Sequence, residues 1–369
     1  MRILVTGGAG FIGSHTVDAL LAAGHQVRVL DNLQPLVHPR GRPIYVPASA
    51  EFVFGDVRDR RTLEYALDGA DAVFHFAAYQ DYLPDFSTYF HVNAVSTALI
   101  YEVIVEHRLP VRKVVVASSQ AVLGEGLYHC DRHGDHQPGI RVEEQLRGGE
   151  WDHHCPVCHG AMRPLPTPEE RTNPQNQYAL SKDSEEKIAI HLGRRYGIPS
   201  VALRYSIVQG PRQSFYNAYS GAMRIFALHL YFGKAPTIYE DGRQIRDFVN
   251  IGDVVRANLL VLQEPAADFR VFNVGGGRPY TVREFFDILR REVGASVEPI
   301  IEGDYRYGDT RHIISDISQL TELGWTPSVP IEESIRQYWR YLNDQSDVED
   351  ILQFAERRMK DLQVVRRRA

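Results

Sequence analysis

Between residues 2 and 120, short and nearly unbroken apolar runs alternate with longer amphipathic ones. "RILVT" (2–6), "QVRVL" (26–30), "EFVFG" (51–55), "DAVFHFA" (71–77) and "KVVVASS" (113–119) read as strands, whereas "IGSHTVDALLAAG" (12–24) and "HVNAVSTALIYEVIVEH" (91–107) carry apolar residues at helical spacing. Strands built almost wholly of Val, Ile and Phe are buried on both faces, which predicts a parallel sheet with helices on each side. The expected fold class is therefore α/β, a doubly wound, Rossmann-like parallel sheet.

From 122 to about 172 this alternation breaks into Gly, His, Pro and charged residues, a stretch too long for an ordinary connection in a compact domain. It reads as an insertion with its own organising principle. Helical periodicity returns over 175–197 and a strand pattern follows at "PSVALRYS" (199–206). Beyond Gly210 the elements shorten and mix, as in a smaller mixed α/β lobe covering the ends of the sheet strands. The expected organisation is a Rossmann domain over 1–210 interrupted by the insertion at 125–172, a lobe over 211–345 with strand exchange between the two, and a C-terminal helix within 346–369. That last stretch places Val348, Ile351, Leu352, Ala355, Met359 and Leu362 on one helical face, suited to docking or to an oligomer contact.

Composition adds bounds to this picture. With 44% hydrophobic and 24% charged residues and a formal charge of −6, the chain has the profile of an ordinary soluble globular protein. The mild acid excess argues against non-specific nucleic-acid binding, which needs a basic surface. No apolar stretch is long enough to span a bilayer, and "MRILVTGG" has no signal-peptide pattern, so the expected location is the cytoplasm. Three cysteines cannot all pair within one chain, which fits a reducing compartment.

The first strand runs into "TGGAGFIG", with Gly7, Gly10 and Gly13 at the strand-to-helix junction. Gly7 permits the tight turn, Gly10 the approach of a pyrophosphate, and Gly13 close packing of helix on strand. The helix N-terminus then offers amides and a partial positive charge to the phosphates. Asp31, ending the second strand, stands where a carboxylate accepts hydrogen bonds from an adenosine ribose and repels a 2′-phosphate, so the cofactor expected is NAD.

"YALSK" sets Tyr178 and Lys182 four residues apart on one helical face. A neighbouring ammonium and the nicotinamide charge would lower the phenol's pKa, and the phenolate could then remove a hydroxyl proton as hydride leaves the same carbon. Ser118 and Ser119, at the end of "KVVVASS", lie where open α/β sheets bind ligands and could orient the same oxygen.

Together these motifs resemble the extended short-chain dehydrogenase/reductase family, and within it the nucleotide-sugar epimerases and dehydratases of the UDP-glucose 4-epimerase type. The resemblance runs through "GDVRD", "HFAA", "ASSQAVLG", "YALSK", "LRYSIVQGPRQ", "GRQIRDFVNIGDV", "FNVGGG" and "YGDTRH", covering most of 1–345 outside the insertion. It implies Ser119, Tyr178 and Lys182 as the catalytic set, with Lys182 on the nicotinamide ribose. It implies Phe11, Ile12, Asn32, Asp56, Val57, Ala77, Ala78 and Asn93 as further cofactor contacts. Tyr79, Gln80, Gln120, Arg212, Arg246 and Arg311 are implied on the sugar nucleotide, with Arg246 and Arg311 on its diphosphate. It also implies a homodimer formed through the helices near 86–107 and 175–196.

Departures from the family pattern narrow the chemistry. Dehydratases of this group carry Asp-Glu directly after the catalytic Thr, and decarboxylases a Glu; this chain has Gln120 and Ala121, which transfer no protons. The reaction the resemblance then implies is epimerisation at C4 of a nucleotide-diphosphate sugar, through a transient keto-sugar with NAD retained. A ketoreductase, dehydratase or decarboxylase on the same scaffold is the alternative, and a non-catalytic dinucleotide-binding scaffold or sensor the alternative of another class. "LRYSIVQGPRQ" has Ser206, Ile207 and Gln209 where the family shows Phe-Asn and a Tyr, and "YQDYLPDF" (79–86) is atypical, both pointing to an unusual substrate.

Residues 129–159 hold all three cysteines and six of the fifteen histidines. Cys130 and His133 form C-x2-H, Cys155 and Cys158 form C-x2-C, and two such turns are what a closed tetrahedral zinc site needs. A structural zinc would keep a polar insertion ordered in place of a core. His129, His136, His153, His154 and His159 are alternates for His133. A flexible loop with incidental cysteines is the competing reading; a redox pair has less support, since no thioredoxin-like helix follows.

Overall fold

Seven strands form the central sheet: β1 (Arg2–Thr6), β2 (Gln26–Asp31), β3 (Glu51–Phe54), β4 (Ala72–His75), β5 (Lys113–Ser119), and, after three short strands of the insertion, β6 (Leu127–Cys130), β7 (Gly134–His136) and β8 (Arg163–Leu165), the last two members β9 (Ser200–Tyr205) and β12 (Arg270–Val274). Between these two lie β10 (Ile207–Gln209) and β11 (Ile245–Asn250), and β13 (Pro279–Thr281) follows β12. The computed structural model describes residues 1–81, 83–215, 221–346 and 348–369. Tyr82, within the 79–86 stretch singled out above, lies outside the described residues.

The sheet order is β12-β9-β5-β4-β1-β2-β3, and every pairing in it is parallel. Both faces are covered, as the unbroken apolar strands require. Ile3, Val5, Val115 and Ala117 pack into one layer with the helices Phe11–Ala22 and Ile251–Gln263, while Leu4, Val114 and Val116 pack into the other with the helices Arg60–Leu67, Ser96–Glu106 and Gln177–Tyr196. Successive side chains of a strand point to opposite faces, so one apolar run feeds two cores.

Strand order reverses between β1 and β4, and a crevice opens there beyond the carboxyl ends of the strands. β12 and the helix Ile251–Gln263 belong to the 211–345 stretch, yet β12 forms an edge of the central sheet and Asn258 donates to Thr16 Oγ1 at 2.9 Å. The rest of that stretch builds a second core around Phe226, Phe248, Phe285 and Tyr338, with β11 between β10 and β13.

The insertion folds as a three-stranded unit, β7-β6-β8, around Tyr128, Cys130, Cys155 and Met162. At the C-terminus the helix Leu352–Asp361 docks back on the molecule, and Val365–Arg366 pairs antiparallel with Tyr305–Arg306. Among the described residues no helix is long and apolar enough to cross a membrane.

Candidate active site

β1 ends in a turn whose first glycine, Gly7, has φ +67° and donates to Leu30 O at 2.8 Å. A Cβ there would lie 2.6 Å from Ala77 N, so only glycine fits against the end of β4. Gly13 is held as tightly: its Cβ would fall 2.2 Å from Gly7 O, the close packing of helix on strand that the motif predicts. Gly10 caps the helix Phe11–Ala22 without a side-chain hydrogen bond, leaving first-turn amides for an anion. Phe11 and Ile12 turn their side chains into the core, so their backbone faces this turn.

Asp31 is buried at the end of β2, where its carboxylate accepts from Ala9 N at 3.0 Å and Leu33 N at 2.9 Å. These bonds aim it at the cleft before any ligand arrives. Asp56 accepts two bonds from the Arg58 guanidinium, at 2.9 and 2.8 Å, and one from Asn32 Nδ2 at 3.1 Å. The side-chain hydrogen bonds of Arg58 hold its carboxyl low, at about 2.

Gly7, Gly10, Asp31, Asn32, Asp56, Val57, Ala77, Ala78 and Tyr79 line one continuous cleft. It suits a dinucleotide: a backbone floor and helix N-terminus for pyrophosphate, and a carboxylate for a ribose diol. Sequence reasoning missed His38 and Arg58, which also line it. His38 comes from the loop after β2, whose Tyr45 hydroxyl donates to Ala9 O at 3.1 Å; no local motif marks a loop that folds back over a cleft.

Ser119 closes β5, and its hydroxyl accepts from Ala121 N at 3.2 Å and hydrogen-bonds the Tyr178 phenol. Tyr178 stands in the first turn of the helix Gln177–Tyr196, which is capped by Asn176 accepting from Ala179 N at 2.9 Å. Lys182, one turn on and 1% exposed, donates to Ala117 O at 2.7 Å and to Glu185 Oε2 at 2.6 Å. Burial raises the Tyr178 pKa, while the Lys182 charge and the Ser119 hydrogen bond pull it down. Burial also raises Glu185, to about 7, against the pull of Lys182.

Ser118 points the other way, donating to Glu186, as alternation along a strand demands. Glu186 in turn accepts a fork from Arg204, at 2.8 Å on each oxygen. Asn93 sits on a π-helical turn, Phe90–Val95, that interrupts the expected helix. The turn brings its amide to Ser181 Oγ at 2.9 Å and its carbonyl to Tyr79 N at 2.8 Å, tying three segments of the cleft together.

Gln120 directly follows Ser119, and its buried Oε1 has no hydrogen-bond partner among the described residues. Gln80 is half-buried in the loop after Tyr79. Arg246 donates to Ile245 O at 3.0 Å, Arg311 O at 3.1 Å and Asp309 Oδ2 at 3.4 Å.

Two of the arginines expected on the sugar nucleotide already have acidic partners within the chain. Arg212 pairs with Asp18 at 2.7 Å and lies over the Tyr45 ring, on the cleft's Gly-rich side. Arg311 is 1% exposed, with its guanidinium divided among Asp152 (2.7 Å), Glu240 (2.8 Å) and Asp241 (2.7 and 3.0 Å). Three carboxylates already neutralise it and repel an added phosphate.

In the insertion, ligand atoms of Cys130, His133, Cys155 and Cys158 lie within 4.8 Å of one another. The Cys130–Cys158 sulfur separation is 3.7 Å, and His133 Nδ1 lies 3.7 Å from the Cys130 sulfur and 3.5 Å from that of Cys155. Zinc with bonds of about 2.3 Å to sulfur and about 2.0 Å to nitrogen needs tetrahedral edges of about 3.8 and about 3.5 Å, and these three separations match them. The amides of Val157 and Cys158 donate to the Cys155 sulfur, as a metal-binding knuckle requires. Among the alternates, His129 is taken by Asp135 and His153 by Glu125, while His136 Nε2 lies 3.8 Å from the Cys155 sulfur.

The family model described as "NAD dependent epimerase/dehydratase family" matches residues 3–141 and 158–275, its gap falling within the insertion. A dTDP-L-rhamnose 4-epimerase of Burkholderia thailandensis is 32% identical over 355 residues, covering 94% of this chain and 96% of its own. The UDP-glucose 4-epimerase of Thermotoga maritima, solved with UDP-glucose, is 32% identical with a TM-score of 0.76, over 93% of this chain and 99% of that one. The UDP-glucose 4-epimerase of Thermus thermophilus, solved with NAD, is 29% identical with a TM-score of 0.72, over 93% and 99%.

Proposed function

The chain belongs to the NAD dependent epimerase/dehydratase family, and from that premise we propose that it is a nucleotide-sugar 4-epimerase that retains its NAD. The observation that carries the reading is the Ser119–Tyr178 hydrogen bond, with Lys182 buried one turn away and Gln120 where a proton-transferring acid would stand for dehydration. Tyr178 takes the proton of the sugar hydroxyl, Ser119 orients that oxygen, and the Lys182 charge favours the phenolate. Bound NAD supplies the hydride acceptor and later the donor. The same phenol returns the proton once the keto-sugar has turned its other face, so the net reaction needs no acid or base beyond Tyr178.

Gly7, Gly10, Gly13, Asp31 and Asp56 would hold the dinucleotide, with Phe11, Ile12, Asn32, Val57, Ala77, Ala78 and Asn93 around it. Tyr79, Gln80, Gln120 and Arg246 would meet the sugar nucleotide. The four Cys and His ligands would hold a structural zinc, since four protein ligands leave no open coordination position. Phe86, Val95 and Leu180, exposed on the segments near 86–107 and 175–196, support pairing of two copies there. Thiols placed for metal suit a reducing compartment such as the cytoplasm.

The test is incubation of the purified protein with a panel of nucleotide sugars and no added cofactor, followed by isomer-separating mass spectrometry. A new peak of unchanged mass is expected. Loss of water, or consumption of added NADH, would refute the epimerase reading. Tyr178→Phe should cut turnover by roughly 10²–10⁴-fold with bound NAD unchanged.

A further inference from the structure

The segment that enters the Cys155 knuckle, residues 151–153, is stitched to loops of the sugar-nucleotide lobe. Asp152 accepts from Arg311 Nε at 2.7 Å and lies 3.4 Å from His312 Nε2. His153 Nε2 lies 3.0 Å from a Glu125 oxygen, and the same oxygen accepts from Arg311 N at 2.8 Å. Arg141, also from the insertion, donates to Trp151 O at 2.9 Å, to Glu240 Oε1 at 2.8 Å and to Asp309 O at 2.8 Å. The Arg141 and Arg311 side chains are 1% exposed and that of Glu240 3%.

This ionic cluster, buried at Arg141, Arg311 and Glu240 and open to solvent at Asp152, joins the insertion to 240–241 and 309–312, the loops that flank Arg246. Arg246 itself donates to Arg311 O and Asp309, so its place depends on theirs. Trp151 packs against Leu146 and Tyr305, but the apolar cluster at the Cys155 knuckle holds four buried residues, two of them cysteines, and is too small to fix the knuckle by itself. Coordination at the four-ligand site is the available substitute.

We propose that a zinc ion bound by Cys130, His133, Cys155 and Cys158 positions the sugar-nucleotide lobe, by keeping Asp152 and His153 on Arg311 and Glu125 and thereby setting Arg246 for the substrate diphosphate. Arg311 is on this account a positioning residue, the anchor between insertion and lobe. The inference rests on the zinc and nucleotide-sugar reading above, and its predicted effect is confined to one half of the site. Among the described residues the lining of the Gly7–Asp31 cleft includes no member of the cluster, so NAD should stay bound.

Hydrogen exchange followed by mass spectrometry tests the coupling without relying on turnover, alongside zinc by elemental analysis and bound NAD by absorbance. Cys155→Ser should lose zinc and exchange faster at 309–312 and 240–246, with residues 4–31 unchanged. Asp152→Asn should keep zinc and show the same faster exchange at 309–312. In both, KM for the substrate found by the panel should rise at least roughly tenfold, the scale of one lost charge-assisted hydrogen bond, with a smaller change in kcat. Full zinc in Cys155→Ser would overturn the metal site. Zinc loss, or Asp152→Asn, with unchanged exchange at 309–312 would overturn the coupling. Accelerated exchange in a protein that converts no nucleotide sugar would overturn the epimerase reading and the substrate role of the coupling, while the metal-to-lobe link would stand.

Discussion

Glu186→Ala is the substitution from which the architecture behind the Ser-Tyr-Lys set can be measured. Glu186 lies one turn beyond Lys182 and joins the helix Gln177–Tyr196 to β9 through Arg204, by two bonds of 2.8 Å, with the side chains 4% and 3% exposed. It also accepts from Ser118 on β5. Truncation leaves the Arg204 guanidinium buried, keeping among the described residues only its bond to Glu169 O at 2.8 Å. Breaking one side of such a pair costs about 3–5 kcal/mol, because the remaining charge is left uncompensated. Against total stabilities of about 5–15 kcal/mol, that is a large fraction. With an m-value near 3 kcal/mol/M, the urea midpoint of the NAD-loaded protein should fall by about 1–1.7 M. Replacing both partners, Glu186→Leu with Arg204→Met, removes the orphaned charge and should recover most of the loss. A Glu186→Ala midpoint within about 0.3 M of wild type, or a double variant no better than the single one, would refute the argument that this pair fixes the helix on the sheet.

Three further expectations concern the site itself. The Glu185 pKa is raised to about 7, chiefly by burial, so the folded state holds that proton longer than the unfolded chain does. Stability from this group is fully present below the unfolded value near 4.5 and is lost as pH rises through about 7; between those limits wild type should lose stability relative to Glu185→Gln, as read by urea titrations at pH 5 and 8. The variant should also shift the rising limb of the kcat profile to lower pH, since Glu185 raises Tyr178; a shift to higher pH would contradict this. Gly7→Ala forces a side chain into left-handed backbone, at about 1–2 kcal/mol, and into Ala77 N, so the purified variant should carry less than stoichiometric NAD; full loading would exclude the cradle. Arg358 Nη2 lies 3.0 Å from both oxygens of Asp81, tying the C-terminal helix to the loop beside Tyr79. Arg358→Ala should raise KM for the sugar nucleotide several-fold without NAD loss, and unchanged KM would show the helix to be irrelevant to the substrate.

Features with a local cause were legible in the chain alone. Strands made of Val and Ile announced a sheet buried on both faces, because period-two alternation leaves no polar face. The glycine turn was readable because left-handed backbone and a Cβ collision at Gly7 tolerate one residue type, and Tyr178 and Lys182 because four residues make a helical turn. The C-x2-H and C-x2-C pairs stood out for a similar reason: each knuckle brings its two ligands together within four residues of chain.

Whatever depends on which distant segments meet became visible only in the folded chain. The choice between Ser118 and Ser119 rests on which face of β5 meets Tyr178 and which meets Arg204. Arg311 reads in sequence as a diphosphate ligand, and only the arrival of Asp152 from the insertion, 159 positions away, turns it into a buried anchor. His38 joins the cofactor cleft because a loop folds back, and Asn93 reaches Tyr79 because a π turn rotates it inward. Charge pairing and burial are pairwise properties of surfaces brought together by the fold, and no periodicity along one chain encodes which carboxylate a guanidinium will meet.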